Sequence, residues 1–391
     1  MGKLQTMLES GQRLILSGPY GTEVAERVAK DIEENPQLSA NVSRNKYLTA
    51  DTSALLTDEG KEYLRRIAID YLASVQPEQP VILVTPSFRL AKQALHVASG
   101  VRGFDPNLPR MGLELCLDSI NLCKDALNLS ERKSDSTLLA MSLGPPFDCY
   151  KGEDTPDDVD GKYLPQTFAA LRFGNGLDYL MFETVPSLRA AIGAARSFKK
   201  AHEEFNIDDH LESLQKVETI EYMGNILSVL QVARISAGGI SPSYDAQNKA
   251  FLPIDRTKDF VIYFCLEEDG TLNGKELNSA INELYKNIAH EGIYEPAGFG
   301  INCNSPEVTH QALLRLSDDN LSRLIGIHPN ASSERNPRNY REMRVQHTIP
   351  QEHYIKLISD MANEFQLKIV GGCCGTNHHT MTGLASAIGQ R

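Results

Sequence analysis

The chain has 391 residues, 41% of them hydrophobic, which is enough for a large core, and a formal charge of −12 that repels nucleic acid and anionic membranes alike. No apolar run approaches the length that crosses a bilayer, and the first ten residues lack the apolar centre of a secretory leader. Seven cysteines, an odd number without regular spacing, do not make a disulfide framework, so the expectation is a cytoplasmic protein that handles small molecules.

Arg13 to Ser17 is a short apolar run closed by Gly18-Pro-Tyr-Gly21, and Val24, Val28 and Ile32 follow at helical spacing, which predicts strand, turn and helix. The polar segment 35–58 reads as a surface excursion. A helical pattern through Tyr63, Leu64, Ile67, Tyr71 and Leu72 then leads to a second buried strand, Pro80 to Thr85. A helix start at Leu90 to Ala98 and a longer pattern from Met111 to Leu127 precede the third strand, Leu138 to Leu143. Segment 148–162 is acidic and rich in Asp, Gly and Pro; just past a strand's C-terminal end, it reads as a lid or as a solvated loop.

Strand four, Leu177 to Phe182, ends at Glu183-Thr-Val-Pro186, and Pro186 helps to start the helix carried by Leu188, Ile192 and Ala195. Residues 204–258 break the alternation and are expected to be an insertion between strands four and five. Phe260 to Cys265 is strand five, and Leu277, Ile281, Leu284 and Ile288 form the stripe of a packed helix. Ala297 to Cys303 is strand six, followed by a helix that Ser305 and Pro306 open. Leu324 to His328 and Leu367 to Gly372 are strands seven and eight. Eight strands alternating with helices predict an α/β fold, a closed (β/α)8 TIM barrel in one domain over 1–391, with functional residues at the C-terminal strand ends.

The chemistry concentrates at Ile369-Val-Gly-Gly-Cys-Cys-Gly-Thr376. Neighbouring side chains on an extended strand point to opposite faces, so Cys373 and Cys374 reach one point only if the backbone turns, and Gly371, Gly372 and Gly375 are the residues expected to allow it. Cys303 ends strand six in a similar glycine-bearing run. Each cysteine alone reads equally as a small buried hydrophobe, and the adjacent pair as a vicinal disulfide. Together, three thiols at two strand ends suggest a metal, and three thiolates with one open position is an arrangement that catalytic zinc uses. His378 and His379 lie close in sequence as further candidate ligands.

Gly-Ile-Asn-Cys303-Asn-Ser-Pro followed by Gly-Gly-Cys-Cys374-Gly-Thr resembles the zinc site of the homocysteine S-methyltransferase family. The resemblance runs in order from Gly18-Pro-Tyr-Gly-Thr-Glu23 to the C-terminal helix. It implies a barrel in which Cys303, Cys373 and Cys374 hold Zn2+ and a small-molecule thiol acceptor, homocysteine, occupies the open position and becomes methionine. Glu183, in a Glu-Thr-x-Pro element, would take the acceptor's ammonium. Backbone amides from Gly18 to Thr22, at a helix start, are candidates for its carboxylate. Asn302 and Asn330 are candidates for orienting ligands or for structural turns.

Three departures accompany the resemblance: Ser17 stands where the family carries an aspartate, Pro19-Tyr20 replaces a small residue and a methionine, and His328-Pro-Asn330 replaces Tyr-Pro-Asn. Losing a carboxylate from an ammonium site costs about 1.5 kcal/mol or more. The chain has no cobalamin-binding Asp-x-His-x-x-Gly, which leaves a small onium methyl donor: S-methylmethionine, S-adenosylmethionine or a betaine. Two other readings stay open, a methyltransferase for another small thiol or selenol and a zinc-binding barrel without turnover.

Overall fold

Each apolar run becomes a strand, and the strands pair in parallel around a closed ring. In this computed structural model the described residues are 2–34, 54–90, 108–132, 134–203, 244–245, 250–251, 258–335, 338–339, 344–345 and 347–389. The barrel strands are β1 (Leu14–Leu16), β2 (Val81–Val84), β3 (Thr137–Leu143), β4 (Tyr179–Val185), β5 (Asp259–Phe264), β6 (Gly298–Asn302), β7 (Leu324–His328) and β8 (Ile369–Val370). Around the ring their order is β1-β8-β7-β6-β5-β4-β3-β2, and β1 closes it by pairing Leu14 with Ile369 and Ile15 with Val81.

The strands read as unbroken apolar runs because both of their faces are buried. Leu14, Leu16, Ile82, Val84, Leu138, Tyr179, Val261, Tyr263 and Ile325 form one cluster that fills the barrel. The residues between them, such as Ile15, Leu83, Leu139, Leu180 and Ile262, belong to a second cluster shared with the helices. Side chains alternate across a strand, so one run feeds two cores.

The helices are α1 (Lys3–Glu9), α2 (Tyr20–Glu34), α3 (Asp58–Ala73), α4 (Leu108–Leu129), α5 (Val159–Phe173), α6 (Leu188–Glu203), α7 (Leu277–Glu291), α8 (Pro306–Leu314), α9 (Asp318–Arg323), α10 (Gln351–Glu364) and α11 (His378–Ile388). Local signals set their starts: Thr57 and Ser305 accept the backbone N–H of Gly60 and Val308, and Asn377 forms a capping box with Thr380. The sequence expectations have no counterpart for α1, α5, α9 and α10. No described helix is long and apolar enough to cross a membrane.

Segment 148–162, read as a lid or a solvated loop, is neither loose nor fully solvated. Cys149, Gly152, Thr155 and Val159 are buried, Thr155 Oγ1 lies 2.7 Å from Ser187 Oγ, and α5 has begun by Val159. The expected helix at Leu90 to Ala98 beyond Leu90, residues 35–53 of the expected surface excursion and most of the 204–258 insertion lie outside the described residues; within the insertion, Tyr244–Asp245 pairs antiparallel with Ala250–Phe251.

Candidate metal centre

The C-terminal ends of β6, β7 and β8 are neighbours in the ring, and β7 holds the other two in place. His328 O accepts the Cys303 N–H at 3.3 Å, and Pro329 O accepts the Cys373 N–H at 2.7 Å. Asn330 completes the bridge: its Oδ1 accepts the Cys374 N–H at 3.2 Å, and its Nδ2 donates to Cys303 O at 2.9 Å. One side chain thus ties together two cysteines 71 positions apart in sequence (374 − 303). The Sγ atoms of Cys303, Cys373 and Cys374 all lie within 4.8 Å of one another, and those of Cys303 and Cys373 are 2.6 Å apart.

The glycines around the pair act differently from the sequence expectation. Only Gly375, at φ +84°, uses the left-handed region that glycine tolerates. Gly371 and Gly372 instead provide room: a Cβ at Gly371 would lie 2.7 Å from Leu16 Cβ, and one at Gly372 would meet Thr376. The turn is made by close packing of β8 on β1 and of the loop on itself.

Two residues that are not glycine also enter the left-handed region here, Thr184 and Cys303, both at φ +55°. For β-branched Thr184 this is a costly conformation, and the surroundings must enforce it. Asn302 does so, accepting the Thr184 N–H at 2.9 Å through Oδ1 and donating to Thr184 Oγ1 at 3.0 Å through Nδ2. Thr184 Oγ1 in turn donates to Cys303 Sγ at 3.6 Å. The ends of β4 and β6 are locked to each other, with the sulfur held at the junction.

Facing the sulfurs, Glu183 is buried at the end of β4. Ser142 Oγ from β3 donates to its Oε1, and Asn302 Nδ2 approaches Oε2 at 3.4 Å. His328 Nε2 lies 3.7 Å from Oε2, too far for a hydrogen bond, and burial pulls the ring's pKa down to about 3. The imidazole is neutral, so the contact is no ion pair.

Ser17, Gly18, Glu183, His328, Cys303, Cys373 and Cys374 line one cavity at the barrel mouth, with Arg89 and Tyr150 also on its wall. Ser17 Oγ accepts the Val84 N–H at 3.0 Å. Gly18 to Gly21 face the cavity at the start of α2, whereas Thr22 is not on its wall and its buried hydroxyl has no hydrogen-bond partner. Asn302 and Asn330 sit behind the wall and position what lines it. His378 is remote from the sulfurs, paired with Glu23 at 3.0 Å, and His379 stacks on it.

Sequence reasoning missed Ser142, Thr184 and Tyr150. A lone serine inside the apolar run of β3 was the available signal for the first. Tyr150 packs against the sulfur cluster from the acidic segment after β3, and nothing local to it marks that contact.

The donor set fits a soft divalent cation. Contact with Cys373 and Cys374, then burial, holds the Cys303 thiol well above its ordinary pKa. For Cys373 the contact with Cys303 acts downward, but Cys374 and burial outweigh it and the thiol is again raised well above the usual range. Three buried thiols cannot ionise side by side without a compensating positive charge. A tetrahedral zinc with Zn–S of about 2.3 Å spaces its sulfurs by about 3.8 Å, inside the 4.8 Å that encloses the three, and the Cys303–Cys373 pair, now at 2.6 Å, would open to that distance.

The family model for homocysteine S-methyltransferases matches residues 14–388. The chain belongs to this family. It is a methyltransferase, and the family match covers both cysteine motifs and every strand of the barrel. Among solved structures it is similar to the metallated form of the homocysteine methyltransferase MmuM from Escherichia coli, with 18% identity, 98% of this chain and 99% of that one covered, and a TM-score of 0.55. The oxidized form of MmuM gives 18% identity, 99% coverage of each chain and a TM-score of 0.57. At this identity the likeness speaks for the fold. No protein of curated function matches the chain in sequence.

Proposed function

We propose that the chain moves a methyl group from a small onium donor to the thiol of homocysteine, giving methionine, at a zinc ion held by Cys303, Cys373 and Cys374. The observation that carries this reading is the convergence of three buried Sγ atoms within 4.8 Å, opposite a buried carboxylate in the same cavity. When bound, zinc lets a thiol persist as thiolate at neutral pH and polarises it no further than three anionic ligands permit.

The chain's own residues supply the rest. Glu183 accepts the acceptor's ammonium, held in position by Ser142 and Asn302. The amides at the start of α2 take its carboxylate, which the helix N-terminus favours. Thr184 and Asn330 keep the sulfurs at fixed separation, and Tyr150 shields them from water. Transfer from a cationic donor to an anionic sulfur dissipates charge, so a dry wall speeds it. The same seven cysteines, all free, suit the reducing conditions of the cytoplasm.

Ser17 is the observation that favours a second reading, an acceptor that is another small thiol or selenol. It leaves one carboxylate where the resemblance implies two. The test is metal analysis of the purified protein together with transfer assays that cross S-methylmethionine, S-adenosylmethionine and betaine with a panel of thiols. Methionine formed from homocysteine is the expected result. One bound zinc with no thiol methylated by any donor would sink the enzymatic reading and leave a metal-binding barrel.

A further inference from the structure

His328 ends β7, between the two strands that carry the cysteines, and its side chain lines the cavity. The residue is 3% exposed, and its ring stands edge-on to Tyr263 with centroids 4.6 Å apart, so it has little freedom to turn away. Its Nε2 is buried and has no hydrogen-bond partner. Buried polar atoms are nearly always paired, so an orphan on a cavity wall points to a ligand that pairs it. Glu183 Oε2 lies 3.7 Å away, too far to bond the ring, yet one N–H donor between them can sit about 2.9 Å from each.

The neighbours decide what kind of donor belongs there. Glu183 is a carboxylate that Ser142 and Asn302 already address, so a substrate carboxylate beside it is repelled and a cation is drawn in. Ser17, on the same wall, uses its hydroxyl oxygen to accept the Val84 N–H. We propose that His328 Nε2 is the second acceptor for the substrate's ammonium, beside Glu183, so that the site selects thiols bearing a protonated amine through one carboxylate and one ring nitrogen. This rests on the thiol-acceptor reading of the cavity and narrows it. His328 is thereby a specificity-determining residue, and the hydrogen bond needs no proton transfer.

The test is calorimetric titration of the full-length protein, as purified, with L-methionine and with 4-(methylthio)butanoate, the same molecule without its amine. The wild type should prefer L-methionine. In His328→Phe, which keeps a ring and removes both nitrogens, L-methionine affinity should fall about tenfold or more, the weight of a hydrogen bond to a charged group, while the amine-free ligand changes less than twofold. His328→Met, a flexible apolar replacement, serves in the same comparison should the Phe ring not fit. His328→Gln keeps an acceptor and should hold the preference to within about threefold of the wild type. Equal weakening for both ligands, unchanged L-methionine affinity in His328→Phe, or a wild type indifferent to the amine would each overturn the assignment. Failure of methyl transfer with every donor, while the preference for the amine persists and depends on His328, would count against the proposed reaction and in favour of this contact.

Discussion

The barrel mouth has a sulfur half and an oxygen half, and they are built by different means. At the ends of β6 and β8 the three cysteines are held mainly through their backbones, by His328 O at the end of β7, by Pro329 O just past it and by Asn330, while Thr184 Oγ1 reaches the Cys303 sulfur with a weak bond at 3.6 Å. At the ends of β3 and β4 the carboxylate of Glu183 is held directly, through its own oxygens, by Ser142 and Asn302. A soft donor can be placed largely through its backbone, because thiols form only weak hydrogen bonds. A buried carboxylate needs partners merely to remain charged. The sulfur half is therefore fragile toward loss of a ligand, and the oxygen half toward loss of a partner.

Removing a ligand should give the largest effect. Cys373→Ser or Cys303→Ser leaves two sulfurs, and metal content by elemental analysis should drop from one per chain to near none, with transfer falling more than about a hundredfold, since even partners behind a ligand carry 10–100-fold. Full metal content in both variants would dissolve the sulfur half as a site. Next, Glu183→Gln keeps the shape and removes the charge; kcat/KM for an amino-acid thiol should fall about 10–100-fold, as expected for a charge-assisted hydrogen bond, with metal content unchanged. An equal loss of metal would mean that the two halves are one. Asn330→Ala should weaken metal retention against a chelator by about tenfold and lower stability by about 1–3 kcal/mol, the cost of orphaned backbone groups. Chelator resistance equal to that of the wild type would show that β7 alone sets the sulfur spacing.

How far each half could be read from sequence follows from the same difference. The barrel was legible because strands buried on both faces are continuous apolar runs, and even the two-residue β8 stood inside such a run, Leu367 to Gly372. The sulfur half was legible because cysteines are rare and two of them are adjacent. Of the oxygen half, Glu183 was legible through its Glu-Thr-x-Pro element and Asn302 was named as a candidate, but the contacts that hold them were not, since Ser142 reaches Glu183 across 41 positions and Asn302 reaches Thr184 across 118, and no local pattern marks either contact. Gly371 and Gly372 were noticed for the wrong property: what they supply is the absence of a side chain against Leu16 and Thr376. Asn330, read as a ligand-orienting or turn residue, bonds the backbones of Cys303 and Cys374.

Ser17→Asp gives the smallest effect and the sharpest one on the oxygen half. Ser17 is 4% exposed and its oxygen already accepts the Val84 N–H, a role that one carboxylate oxygen can take over while the other faces the cavity. In the empty site the new charge is buried near Glu183, which costs stability, about 1–2 kcal/mol for a partly compensated burial. An ammonium between the two carboxylates relieves that repulsion, so the substitution is penalised when the site is empty and compensated when an amino-acid thiol is bound. The expected outcome is a lower melting temperature that homocysteine restores, and a KM for homocysteine reduced about threefold to tenfold, from one added charge-assisted hydrogen bond. Amine-free thiols should be used less well. If homocysteine and its amine-free counterpart lose ground equally, the wall between Ser17 and Glu183 does not hold an ammonium, and the acceptor's cationic end must be sought elsewhere in the cavity.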